Sequence, residues 1–144
     1  MDRKIKFIAW DRINKIMLDQ LNISFINEFK LFANGSYAYK GEYAEDWLVL
    51  MQYTGLKDKK GKEIYEGDIV LVDNIKFEIE FKYGGFKFTA MKDNVVDYIH
   101  TRIMYDFSDF ILQNKEATVI GNIYEHIELL KEKAREAKER EREL

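Results

Sequence analysis

The residues best placed to do chemistry lie in one short stretch, DKKGKEIYEGD (58–68), where carboxylates alternate with lysines and glycines. Glu66 and Asp68 flank Gly67, and two carboxylates in that arrangement could hold a divalent cation. Ca²⁺ and Mg²⁺ draw more oxygen ligands than so short a run supplies, so the expected partners of these acids are Lys62 and neighbouring backbone amides. Asp58 begins a DKKG turn, where a carboxylate bonds nearby amides and a glycine three residues on takes a positive φ. A lone EGD is a weak signal, and no metal site is assigned.

Other reactive constellations are sparse. The sequence contains no cysteine and two histidines, His100 and His126, which removes disulfides, thiolate chemistry and the usual structural zinc sites. His100 could pair with Asp97 or Asp106 for acid–base work, yet a histidine among Tyr98, Ile99 and Met104 fits a structural place equally well. The acids of DFSD (106–109) suit a helix N-cap. There is no GxxxxGK[ST], HExxH or GxSxG pattern, so no catalytic residue and no cofactor is expected. Aromatic rings offer a different function. Tyr37, Tyr39, Tyr43 and Trp47 cluster in or beside the glycine-bearing segment ANGSYAYKGEYAED (33–46), where exposed rings would grip a partner and buried ones would form a lid. The expectation is a partner-binding surface.

The elements that position these residues read as mainly β. Hydrophobic residues make up 47% of 144, which supports a packed core, and a net charge of −3 gives no bulk attraction to phosphate or anionic membranes. No apolar run approaches the roughly 20 residues of a membrane span, and MDRKIK leads into no signal-peptide core, so a cytoplasmic protein is expected. KIKFIAW (4–10) and KIMLDQL (15–21) form a hairpin about a four-residue loop, and LNISFINEFKLF (21–32) alternates as a strand, although Leu21, Phe25, Phe29 and Phe32 also satisfy a helical spacing. A long loop follows at 33–46. LVLMQYT (48–54), IVLV (69–72), IKFEIEFKY (75–83), FKFTAM (86–91) and EATVIGNIY (116–124) are strands, with Gly84-Gly85 turning the third into the fourth and Gly121 marking a bulge. From Glu125 the chain is rich in helix formers and meets no breaker. Ile127, Leu130, Ala134, Ala137 and Leu144 make a narrow seam, interrupted by Glu141, through which two copies could associate. The domain reading is a β body over 1–124 and a charged helix over 125–144.

LMQYTGLKDKKGKEIYEGDIV, with the opening KIKFIAWD and the late VIGNIYE, resembles the YopX family of phage and prophage proteins over about residues 1 to 130. The resemblance implies a small Src-homology-3-like barrel, an origin in a bacterial virus or an integrated one, and no established activity. Members share Gly55, Asp58, Gly61, Tyr65, Glu66, Gly67 and Asp68, read here as a structural turn signature. The preferred function is a non-enzymatic module that engages a host or phage protein. One alternative is a nucleic-acid-binding barrel using Lys57, Lys59, Lys60 and Lys62, a patch partly cancelled by Asp58, Glu63, Glu66 and Asp68. The other is a metal-dependent enzyme.

Overall fold

The computed structural model describes residues 4–91, 104–106 and 116–143. It divides into two compact units, Met1–Gly55 and Leu56–Leu144, so the division falls at the end of the TG step and not between a body and its C-terminal helix. The final helix belongs to the second unit.

In the first unit, β1 (Phe7–Asp11) and β2 (Ile16–Leu18) form the expected hairpin, with Ala9 opposite Leu18 and Asp11 opposite Ile16. Asp11 closes it. Its carboxylate accepts from the Ile13 and Asn14 amides at 2.9 and 3.0 Å and from the Asn14 side chain at 2.9 Å. β1 lies antiparallel to β6 (Leu48–Lys57), pairing Ala9 with Leu50.

The segment 21–32 is not a strand throughout. Residues Ile23–Glu28 form a helix, α1, followed by the short strand β3 (Phe29–Leu31). The cap decides this: Asn22 stands at the N-cap and accepts from the Phe25 amide at 3.0 Å, which gives the first turn a partner that no strand would offer it. The helical spacing then carries Phe25 and Phe29 to the same side, with ring centroids 5.0 Å apart. The 33–46 segment is also more ordered than a loop. β4 (Tyr37–Tyr39) and β5 (Glu42–Tyr43) join β3 in a sheet of order β3-β4-β5. Lys40 and Gly41, with φ of 54° and 82°, make the two-residue turn between β4 and β5. Phe25, Tyr39, Ala9, Leu18, Ala44 and Leu48 form this unit's core.

The second unit holds β7 (Glu63–Tyr65), β8 (Asp68–Val72), β9 (Ile75–Lys82), β10 (Gly85–Ala90), β11 (Met104–Asp106) and β12 (Thr118–Asn122). Five of them form an antiparallel sheet of order β11-β10-β9-β8-β12. The alternation of β9 buries Phe77 and Ile79, while Ile75 and Phe81 run out past the core at either end and are exposed. Its turn into β10 is Tyr83-Gly84, one residue earlier than Gly84-Gly85, because a two-residue turn of this hand needs positive φ at both positions and Tyr83 takes 54°. Asp73-Asn74 makes the corresponding turn between β8 and β9. The β12 register shifts between Val119 and Gly121, a bulge that ends at Asn122. There α2 (Ile123–Arg142) begins, two residues earlier than composition suggests, since the Asn122 side chain accepts from the Tyr124 and Glu125 amides. Ile127, Ala134 and Ala137 are exposed on it. Ile64, Val70, Val72, Phe77, Ile79, Phe88 and Ala117 are the core of this unit.

The chain is thus mainly β, with a curled half-barrel sheet, an N-terminal hairpin and a C-terminal helix, the class expected from the sequence. Among the described residues no helix is long and apolar enough to cross a membrane.

Candidate functional site: the central turn and the aromatic sheet

The hairpin between β6 and β7 is built around Asp58. Its amide donates to the Lys62 carbonyl at 2.7 Å and the Gly61 amide returns to the Asp58 carbonyl at 3.0 Å. One carboxylate oxygen accepts from the Lys60 and Lys62 amides at 2.9 and 2.8 Å; the other accepts from the Val119 amide, 61 residues along the chain, at 3.0 Å. Burial alone would push this carboxyl up, but the amides of Val119, Lys62 and Lys60, with the Lys62 charge, outweigh it and hold the acid below its usual range. Gly61 has φ 85°, where a side chain would be strained. Asp58 is therefore spent on backbone and has little left to offer a ligand.

The EGD turn is a second device. Gly67, at φ 87°, donates to the Ile79 carbonyl at 2.8 Å and accepts from the Ile123 amide at 2.9 Å, which fastens the start of α2 to the sheet. Asp68 is buried and accepts from the Tyr65 amide at 2.8 Å. Tyr65 is buried and its hydroxyl donates to Glu63 at 3.3 Å; Glu66 is half-buried, and Gly55, at φ 91°, ends the first unit. Burial pushes the Asp68 carboxyl up to about 7; the Tyr65 amide and Lys62 pull it down, and Glu125 and Asp58 push it further up. Two acids of one signature are thus moved in opposite directions. Among the described residues no group of three or more His, Asp or Glu side chains could hold a metal ion.

The sign of the Asp68 shift makes a measurable pH dependence. Between its ordinary value of 3.8 and about 7 the folded chain holds a proton that the unfolded chain releases, so stability falls as pH rises through that window and levels off above it. At 1.36 kcal/mol per unit the loss is about 4 kcal/mol. Asp68→Asn keeps an oxygen for the Tyr65 amide and removes the proton, so denaturant melts of the variant should show a flatter profile and a gain over wild type above pH 7. Identical slopes for the two proteins would assign the titration elsewhere.

Beside this turn Ile69, Lys76, Met91, Ile120, Gly121, Asn122, Glu125 and His126 line a cavity of about 210 Å³. Among its polar groups, Asn122 caps α2 and Glu125 acts on Asp68.

The aromatic cluster divides. Tyr39 is 5% exposed and packs its ring 6.1 Å from both Phe25 and Trp47. Tyr37 is half-buried, with its hydroxyl donating to the Leu48 carbonyl at 2.6 Å, and Trp47 is half-buried. These three cover the core as a lid would, Tyr37 and Tyr39 from β4 and Trp47 from the turn before β6; of the four, only Tyr43 is presented to solvent, at 72%, with the Phe32 ring 6.0 Å away. A surface that the aromatic pattern did not indicate stands nearby in sequence: Leu21, Ile23 and Ile26, before and along α1, are exposed, Leu21 at 89%. The helical spacing signalled Ile26, which must face away from Phe25 and Phe29 once 23–28 is a helix, but it grouped Leu21 with the buried rings and so missed it. His100, Asp97, Tyr98 and Ile99 lie outside the described residues, as do the side chains of Asp106 and the DFSD motif.

A family model described as YopX protein matches residues 6–131, and the chain belongs to that family. The chain is similar to a solved structure, protein EF1440 from Enterococcus faecalis, at 30% identity and a TM-score of 0.52, over 90% of this chain and 99% of the other. No curated protein matches.

Proposed function

We propose that this YopX-family chain is a non-enzymatic binding module of phage or prophage origin that engages a host or phage protein inside the bacterial cell. The observation that carries the proposal is the amount of large apolar side chain its first unit leaves in water: Ile13 and Ile16 on the β1–β2 hairpin, Leu21, Ile23 and Ile26 at α1, and the Phe32–Tyr43 pair. Scattered exposed aliphatics are ordinary, but Ile23 and Ile26 share one side of a helix and Leu21 precedes them, an arrangement that costs solubility unless something covers it. A catalytic reading has less support, since Asp58 is committed to three amides.

Affinity capture from infected or induced cells tests this, run in parallel with wild type and with Leu21→Ser/Ile23→Ser. Wild type should recover a stoichiometric protein partner that the variant loses while its melting temperature stays put. A partner retained in full by the variant, or no stoichiometric protein at all, would overturn the proposal.

A further inference from the structure

On paper the four lysines at 57, 59, 60 and 62 are offset by Asp58, Glu63, Glu66 and Asp68. The fold separates the two sets. Asp58 and Asp68 are 8% and 7% exposed, and Asp58 meets three amides with its oxygens. Glu63 and Glu66 are half-buried, and Glu63 accepts from the Tyr65 hydroxyl. Lys57, Lys59, Lys60 and Lys62 are all exposed, and none of their ammonium groups is in a hydrogen bond or ion pair with another of the described residues. Lys62 does lie close enough to Asp58 to influence it, so the tip is not free of opposing field. Glu116 is also exposed, next to the Ala117 carbonyl that receives the Lys59 amide at 3.0 Å.

The backbone beneath these lysines is fixed. The amides of Lys59, Lys60 and Lys62 are each bonded, and so is the Lys62 carbonyl, which means that binding here would order side chains alone. The tip is the five-residue turn between β6 and β7, tied to the stretch at 117–119 by the Lys59–Ala117 and Val119–Asp58 bonds, and a duplex offers its row of ammoniums one phosphate charge per roughly 1.7 Å of axis. The chemistry is that of phosphate contact: lysine ammoniums act as point charges, and the tip carries no Arg, Asn or Gln that would read a base edge.

We infer that the 57–62 hairpin tip of the second unit is a phosphate-contacting prong that binds duplex DNA without sequence preference. The net charge of −3 opposes approach at long range, so the contact shows itself at low salt.

Fluorescence anisotropy of a labelled random-sequence duplex, titrated with the whole chain across a salt series, reads it. Binding at low salt should weaken as salt rises, and each tip lysine replaced by Gln should lower the slope of log K against log salt by about 1. The fourfold variant Lys57→Gln/Lys59→Gln/Lys60→Gln/Lys62→Gln should lose at least about tenfold in affinity at an unchanged melting temperature. The same four positions changed to Arg should keep binding. Replacing four exposed lysines of the first unit, Lys4, Lys15, Lys30 and Lys40, with Gln should leave the slope as it was. No binding at the lowest salt, equal loss in the first-unit control, or tip-dependent binding of polyglutamate in place of DNA would each overturn the inference.

Discussion

Asp58→Ala should lower the unfolding free energy by about 3 to 5 kcal/mol, measured by denaturant melts, because it strands three amides at once. Each buried donor left without an acceptor costs about 1 to 3 kcal/mol. Lys60 and Lys62 sit at an exposed tip where water can reach part of the vacated space, so their share falls toward the low end; Val119 lies at the β12 strand, and its amide carries the larger share. Asp58→Asn separates the contributions. Its oxygen can serve Lys60 and Lys62, but its amide nitrogen would face the Val119 N–H, donor against donor, so it should fall between wild type and Ala. The wild-type carboxyl is held below its ordinary value, so its contribution is complete above the usual carboxylate range and fades as pH falls through the lowered one. The Ala variant should therefore lose less on acidification than wild type does. A change under about 0.5 kcal/mol, as for an ordinary surface residue, would mean that the turn does not depend on Asp58.

That carboxylate also shows where sequence reasoning reaches and where it stops. The DKKG spacing announces a turn because Asp and Gly solve a local problem, and the Lys60 and Lys62 amides lie within reach of any such turn. Nothing in the spacing points to Val119, since a contact across 61 residues exists only once β12 has paired with β8. The same boundary runs through the rest of the chain. Alternation places Phe77 and Ile79 in the core, yet it cannot choose between Tyr83-Gly84 and Gly84-Gly85, which depends on what φ a tyrosine will tolerate at the end of a twisted ribbon. In 21–32 two periodicities coexist, and Asn22 breaks the tie by capping. Buried acids are the hardest to foresee. Glu66-Gly67-Asp68 has the composition of a solvated turn, and only the bond from the Ile123 amide to Gly67 reveals that α2 begins on top of it.

The aromatic segment makes the second strong prediction, and its outcome should be graded residue by residue. Tyr39→Ser should cost about 3 to 5 kcal/mol, as expected when a large ring leaves a packed core. The ring stands among Ala9, Leu18, Phe25, Ala44 and Leu48, on the strand that pairs with β3 at Phe29. Tyr37→Ser should cost less, since the residue is half-buried and forfeits chiefly the bond to the Leu48 carbonyl and the contact with Phe29, whose ring lies 5.8 Å away. Tyr43→Ser should stay within about 0.5 kcal/mol. Thermal and denaturant melts of the three single variants give the order directly. This order determines which variants can report on binding. A triple Tyr→Ser chain would lose any partner simply by unfolding, so its failure in capture would say nothing about an interface. Tyr43→Ser keeps the core and removes one member of the exposed Phe32–Tyr43 pair, so a lost partner there is a lost contact. If Tyr43→Ser instead destabilised the chain as much as Tyr39→Ser, the ring would be part of the fold's support, and the apolar residues at α1 would have to carry the interface alone.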